Sequence, residues 1–159
     1  MPVVRLGTDS DVLAAVGIWN DAARAHDPRF TLSDRFERSI RLAACSSTLL
    51  IADDRADSVG MMTFGQARAE GGAGVPVEGL AHIGLVAVSP THWGRGIGKM
   101  LMQSGIDKIR SADYTSVQLW VRDDNTRASR LYKSLGFRVT DDAMTNDLGW
   151  TMHRYVVDL

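Results

Sequence analysis

The chain has 159 residues, a formal net charge of −1 and a single cysteine, Cys45. The length suits one folded domain, and we expect a single domain over residues 1–159. Interleaved acidic and basic residues argue against nucleic acid or an anionic membrane as a partner. The lone cysteine excludes an internal disulfide and a thiolate metal cluster. The lack of a long apolar run predicts a cytoplasmic protein that does not span a membrane.

The first part of the chain predicts one strand, two helices and a strand pair. Residues 3–6 are apolar enough for a short strand, and Thr8 to Asp11 has the pattern of a capping box before an amphipathic helix. A second helix is predicted from Ser33 onward. Residues 48–52 and 58–66 alternate as two strands of a hairpin around the turn 53–57.

A glycine-rich loop and a buried strand come next. Residues 67–79 contain four glycines and a proline without periodicity, which predicts a flexible loop that could border an acceptor site. Residues 81–88 form a nearly continuous apolar run, as expected for a central strand covered on both faces. The helix predicted after it, 96–111, buries an apolar stripe that includes Ile97 and Leu101.

The last part of the chain predicts a strand, a short helix and two more strands. The strand covers residues 117–121, and the final strands are expected at 137–140 and 151–157, with the polar stretch 141–147 between them. The full order is β-α-α-β-β-β-α-β-α-β-β. The four histidines lack ligand spacing, so no metal site is predicted.

The turn between the central strand and its helix has the composition of a phosphate-binding loop. Glycines at 94, 96 and 98 let the backbone approach a ligand, and the following helix offers its first N–H groups and positive dipole end to an anion. Arg95 and Lys99 add formal charge, so Gly94, Arg95, Gly96, Ile97, Gly98 and Lys99 are candidate contacts of a pyrophosphate. Met100 rules out the Walker pattern and Lys99 a GxGxxG fingerprint. The alternative is a turn that only joins strand to helix.

The short helix carries a second set of candidates. Asn125 is a predicted N-cap, and Ala128, Leu131 and Leu135 form the predicted buried stripe. Tyr132 lies at the edge of that stripe, facing the sheet. The alternative interpretation of Tyr132 is an aromatic residue that only packs at the margin of the core.

These residues resemble the GCN5-related N-acetyltransferases (GNAT). The family pattern hydrophobic-x-Val-x-Pro matches Val86 to Pro90. The family loop (Gln/Arg)xxGx(Gly/Ala) matches residues 93–98, with Trp93 in place of Gln or Arg. The family helix pattern Asn-x-x-Ala-x-x-x-Tyr, followed by Leu-Gly-Phe, matches residues 125–137. The resemblance is strong over residues 80–140. It implies an α/β (α+β) GNAT fold, with a mixed, mostly antiparallel central sheet of about seven strands and about four helices.

The resemblance also implies an activity, which is acetyl-CoA-dependent N-acetyl transfer to a primary amine, by direct attack in a ternary complex. A small-molecule acceptor is expected; a protein or peptide amine and a non-enzymatic acyl-CoA sensor are the alternatives. In the family the equivalent of Tyr132 lies close to the coenzyme sulfur, which implies a general acid. A possible homodimer is implied by the resemblance alone.

Further contacts carried over from the family lie on the central strand and at the cap. Backbone groups of Val86, Ala87 and Val88 are expected to contact the thioester, and Asn125 the pantetheine or diphosphate. The proton acceptor stays open. His82 shares a strand face with Val86 and Val88 and is a candidate base, but a histidine there is about as often a core residue; Glu78 and a bound water are the other candidates.

Overall fold

The computed structural model describes residues 1–146 and 149–159, apart from the side chain of Phe36. Within these residues the chain forms seven strands and four α-helices in the predicted order. The elements are β1 (Val3–Leu6), α1 (Val12–His26), α2 (Asp34–Ser46), β2 (Thr48–Asp54), β3 (Asp57–Arg68), β4 (Pro76–Val88), α3 (Ile97–Ser111), β5 (Ser116–Arg122), α4 (Thr126–Ser134), β6 (Arg138–Thr145) and β7 (Thr151–Asp158).

The strands form one mixed sheet in the order β1-β2-β3-β4-β5-β7-β6. β4 and β5 are parallel, and their pairing runs from Leu80↔Ser116 to Ile83↔Leu119. The β1–β2, β2–β3, β5–β7 and β6–β7 pairs are antiparallel. The predicted fold class, a mostly antiparallel mixed sheet with four helices, is confirmed.

The contacts divide the chain into two compact units, and both β3 and β4 contribute to each. The first unit comprises Met1–Gly65 and Gly84–Lys108. In its core, Ala15 and Ile18 of α1 pack with buried side chains of β2, β3 and β4, namely Leu49, Ile51, Met61 and Ala87. A second cluster joins the other side of α1 to Ile40 and Ala44 of α2. The apolar spacing in α1 and α2 produces these contacts.

Charges fix the start of the first unit. The Arg5 guanidinium donates to both carboxylate oxygens of Asp11 at 2.9 Å and to Asp53 on β2. Asp11 Oδ2 also accepts the Thr8 N–H at 2.8 Å, which completes the predicted capping box. Because Arg5 and Thr8 stabilise its charged form, the pKa of Asp11 lies well below its usual range.

The second unit comprises Gln66–Ile83 and Ile109–Leu159. Val117, Leu119 and Val121 of β5 are buried, and so are Tyr132 and Phe137, whose rings meet at a centroid distance of 5.9 Å. The predicted stripe of α4 is wrong in one respect. Ala128, Leu131 and Leu135 are only half-buried, and the buried residue of the helix is Tyr132.

Three predicted loops are shorter than expected because strands continue into them. The hairpin turn contracts to Arg55 and Ala56. The loop 67–79 contracts to 69–75, since Ala69 N–H bonds to Val75 O at 2.9 Å and the ladder between β3 and β4 extends that far. The polar stretch 141–147 is strand as far as Thr145, where β6 pairs with β7 past an irregularity between Val139 and Ala143. Residue 147 lies outside the described residues.

Gly60 on β3 provides a test of packing against α3. A Cβ at this position would lie 2.9 Å from Leu101 Cδ1, 3.2 Å from Ala52 Cβ and 3.3 Å from Ile97 Cγ2. Gly60→Ala should therefore lower the free energy of unfolding by about 1–3 kcal/mol through overpacking. Urea denaturation measures the change.

The matched control is Gly17, which is exposed on α1 and has no atom within 4 Å of an added Cβ. Gly17→Ala should raise stability by roughly 0.5–1 kcal/mol through helix propensity. Equal stability changes in both variants would contradict the packing of α3 on β3.

Candidate active site

The end of β4 is fixed to its neighbour before the chain turns. Ser89 N–H donates to Val59 O of β3 at 2.8 Å, and Leu85 N–H donates to the Thr63 hydroxyl at 3.1 Å. A 3₁₀ turn, Pro90–His92, follows with proline at its start. Proline fits there because its φ is already set for a helical turn.

Trp93 stands where the family has Gln or Arg, and it has a different task here. Its indole N–H donates to Val88 O at 2.7 Å, which folds the loop back onto the last residue of β4. The indole therefore fixes where the glycine turn starts. This bond cannot be predicted from the sequence, because a donor to a carbonyl five residues earlier depends on the shape of the turn.

The glycine turn has the geometry that a phosphate loop requires. Gly94 and Gly96 adopt φ values of +78° and +77°, a left-handed conformation that side chains rarely tolerate, and an added Cβ at either would meet nothing within 4 Å. Gly98 lies in α3 and is half-buried. Met100 N–H bonds to Gly96 O at 3.0 Å, so helix geometry leaves the N–H groups of Ile97, Gly98 and Lys99 without an intrahelical acceptor. The open cradle at this helix start fits an anion.

An acidic residue lies beside this cradle. Asp54, at the end of β2, is 3.6 Å from His92 Nε2 and 4.0 Å from Arg95 Nη1. Arg95 remains 58% exposed. The sequence predicts Asp54 in the hairpin turn but not this contact, since pairing of a turn with a distant loop leaves no local pattern.

α4 begins at the predicted cap. Asn125 Oδ1 accepts the Ala128 N–H at 3.1 Å, which confirms the structural half of its assignment. The cap uses one lone pair of this oxygen, so the amide nitrogen and the second lone pair of Asn125 remain for another ligand.

Tyr132 is deeply buried on α4, with 8% of its surface exposed. Burial raises the pKa of Tyr132 to about 12, since a phenolate would lose its hydration. Within the described part of the second unit, no group hydrogen-bonds to its phenol oxygen, whereas Tyr155 shares a 2.8 Å hydrogen bond with Ser129. A neutral phenol without such a bond has its proton available for donation.

His82 is half-buried on β4, opposite Gln118 in the β4–β5 register. Its Nδ1 lies 3.4 Å from Gln118 Nε2, and burial lowers the pKa of His82. Gln118 is buried, and its Oε1 accepts from Arg154 Nε at 2.8 Å. Glu78 is exposed near the start of the same strand.

The candidate residues fall into the two units. The backbone of Val86, Ala87 and Val88 and the turn from Gly94 to Lys99 belong to the first unit, where β4 runs directly into the turn. His82, Asn125 and Tyr132 belong to the second. Gln118 lies beside His82, and Arg154 bonds to Gln118. Neither residue is predicted from the sequence, because cross-strand contacts depend on a register that is not visible there.

A comparison with models of protein families identifies the family of this chain. The model of the acetyltransferase (GNAT) family matches residues 14–137. The chain belongs to this family. The match includes the glycine turn and α4, so the GNAT resemblance is confirmed, and the prediction of an acyltransferase is confirmed at the level of the family.

Relatives and solved structures extend the comparison. The mycothiol acetyltransferase of Nocardiopsis dassonvillei is 27% identical over 86% of this chain and 41% of its own length. The chain thus spans less than half of that curated relative. The ribosomal-protein-S18-alanine N-acetyltransferase of Escherichia coli has a TM-score of 0.76 at 20% identity, over 99% of this chain and 94% of that one.

The yncA protein of Salmonella typhimurium, solved with its cofactor acetyl-CoA, has a TM-score of 0.74 at 22% identity, over 100% of this chain and 94% of that one. At these identities the two structural likenesses show that the GNAT fold is shared. Among the described residues, every helix is too short or too polar to cross a membrane.

A substitution at Gly96 tests whether the glycine turn binds acetyl-CoA. Gly96→Val should abolish acetyl-CoA binding in a folded protein, because a branched side chain at φ +77° costs about 1–3 kcal/mol of backbone strain and fills the open space. Isothermal titration calorimetry measures the affinity.

Gly72→Val is the matched control, since Gly72 has φ +102° and open surroundings but lies outside the turn. It should carry similar strain and keep the affinity. Unchanged affinity in folded Gly96→Val would remove the turn from the coenzyme site.

Proposed function

We propose that this chain transfers the acetyl group of acetyl-CoA to a primary amine of a small molecule, by direct attack of the amine in a ternary complex. The observation that carries the proposal is the turn at Gly94 and Gly96, which leaves an open cradle before the N–H groups of α3. The family match spans parts of both units, which supports one acetyltransferase domain over residues 1–159.

The proposed task of the first unit is to hold the coenzyme. The N–H groups of Ile97, Gly98 and Lys99 would bind the diphosphate, and the side chains of Arg95 and Lys99 would add charge. Val86, Ala87 and Val88 are assigned, through the family resemblance, to backbone contacts with the thioester. Acetyl-CoA, when bound, supplies an acetyl group that is activated as a thioester.

The proposed task of Tyr132 is to protonate the departing sulfur. As the amine nitrogen bonds to the acetyl carbon, the carbon–sulfur bond breaks, and the thiolate is a better leaving group when an acid protonates it. A phenol with a pKa of about 12 is fully protonated at neutral pH, which this role requires. Asn125 Nδ2 is assigned to the pantetheine or diphosphate.

An acceptor for the amine proton is also required, because an ordinary amine with a pKa near 10.4 is almost wholly charged at pH 7. We assign this role to His82, whose lowered pKa keeps it neutral at pH 7. Glu78 and a bound water are the alternatives.

The acceptor class rests on the relatives, because the protein from Nocardiopsis dassonvillei is named for a small molecule, mycothiol. Acetyl-CoA-dependent thiol release should be assayed with small amines, polyamines, aminoglycosides, amino acids and peptides. Turnover with a small amine supports the proposal. Turnover with peptides alone would favour a protein acceptor, and binding of acetyl-CoA without any turnover would favour a sensor.

A cytoplasmic location and a homodimer stay predictions.

Tyr132→Phe should lower kcat by roughly 10² to 10⁴ while leaving acetyl-CoA affinity nearly intact, since only the acidic proton is lost. Single-turnover kinetics and calorimetry measure the two quantities. Tyr155→Phe is the control, because it loses the bond to Ser129 but no proposed catalytic group. Full turnover by the Tyr132 variant would return this residue to a packing role.

For His82, kcat/KM should rise with pH as the imidazole loses its proton, with an apparent pKa below the ordinary 6.5 because burial disfavours the charged form. The activity is thus lost only when the pH falls below about 6.5. His82→Gln should remove this limb and spare acetyl-CoA binding. If the variant keeps both rate and profile with one substrate of known pKa, the base is Glu78 or water.

A further inference from the structure

A row of polar side chains crosses four neighbouring strands of the second unit. His82 lies on β4, Gln118 on β5, Arg154 on β7 and Asp142 on β6. The contacts are His82 Nδ1 to Gln118 Nε2 at 3.4 Å, Gln118 Oε1 to Arg154 Nε at 2.8 Å, and Arg154 Nη1 to Asp142 Oδ2 at 3.4 Å. The row contains one cation, one carboxylate, one amide and one imidazole, so its hydrogen-bond directions can be worked out.

The directions follow from the guanidinium. Arg154 has donors only, so Gln118 must present its oxygen to Arg154. The amide nitrogen of Gln118 then faces His82, and this nitrogen also has donors only. His82 Nδ1 therefore accepts, and the single proton of the neutral ring lies on Nε2.

We infer that Gln118 and Arg154 are positioning residues that hold His82 in the neutral form with its proton on Nε2. Turning the Gln118 amide would set its NH₂ group against the guanidinium, two donors facing each other at a side chain that is only 8% exposed. Such a buried mismatch leaves both groups without acceptors. Asp142 holds the far side of Arg154 and is itself well exposed.

A proton on Nε2 limits what the neutral His82 ring can do. Its Nε2–H is a donor, and a proton can be taken up only at Nδ1, at the expense of the contact with Gln118. Where His82 serves as the base, which rests on the proposed function, the proton must arrive at Nδ1. The position of the proton is a property of the free protein and does not depend on acetyl transfer.

The test is long-range ¹H–¹⁵N correlation of the histidine rings in the full chain at about pH 7.5, with His82 assigned through His82→Gln. The wild type should show a bare Nδ1 and a protonated Nε2. In Gln118→Glu the carboxylate accepts from Arg154 and can also accept from His82, so the proton should move to Nδ1. Because free imidazole also favours Nε2–H, this reversal is the decisive result.

A second variant, Arg154→Met, tests the same inference if Gln118→Glu does not fold. Arg154→Met removes the group that orients the amide, so the fraction of Nδ1–H should rise several-fold. Asp142→Asn keeps Arg154 in place and should leave the His82 signals as in the wild type. The signals of His26 on α1 should stay unchanged in every variant. A wild-type ring protonated on Nδ1, or signals unchanged in folded Gln118→Glu and Arg154→Met, would overturn the inference, whereas loss of acetyl transfer alone would not.

Discussion

The first unit depends on a backbone constraint, the left-handed conformation at Gly94 and Gly96 that turns the chain from β4 into α3. Both sides of this turn are fixed by other contacts. Before it, Ser89 and Trp93 bond to the backbone of Val59 and Val88. After it, the fully buried side chains of Ile97 and Leu101 anchor α3. An anion cradle built on backbone geometry needs this support, because two glycines alone would leave the turn free to adopt many conformations.

The electrostatics of the turn are more balanced than its basic residues indicate. Asp54 lies within 4.0 Å of both His92 and Arg95, so a carboxylate offsets part of the positive charge beside the cradle. The backbone N–H groups and the helix dipole then account for more of the attraction to an anion than the side chains do.

The sequence predicted the element order, the sheet class and the start of α3, because these follow from local periodicity and from glycine and capping residues. It also placed Asn125 at the cap of α4. It failed where partners are distant in the chain. The burial of Tyr132, the contacts of Asp54 and the row from His82 to Asp142 all depend on packing or cross-strand register. Strand ends were placed too early because polar residues such as Asp141 and Asp142 can extend an exposed strand as readily as they form a loop.

The edge strand β6 has a consequence for the behaviour of the protein at high concentration. It pairs with β7 on one side and forms the border of the sheet on the other. Such a border can recruit strands from other molecules and lead to aggregation. Here Arg138, Asp141 and Asp142 are exposed along β6, and the irregular register between Val139 and Ala143 interrupts the ladder. A foreign strand would meet charge and an interrupted hydrogen-bond pattern, so this edge resists the growth of intermolecular sheets.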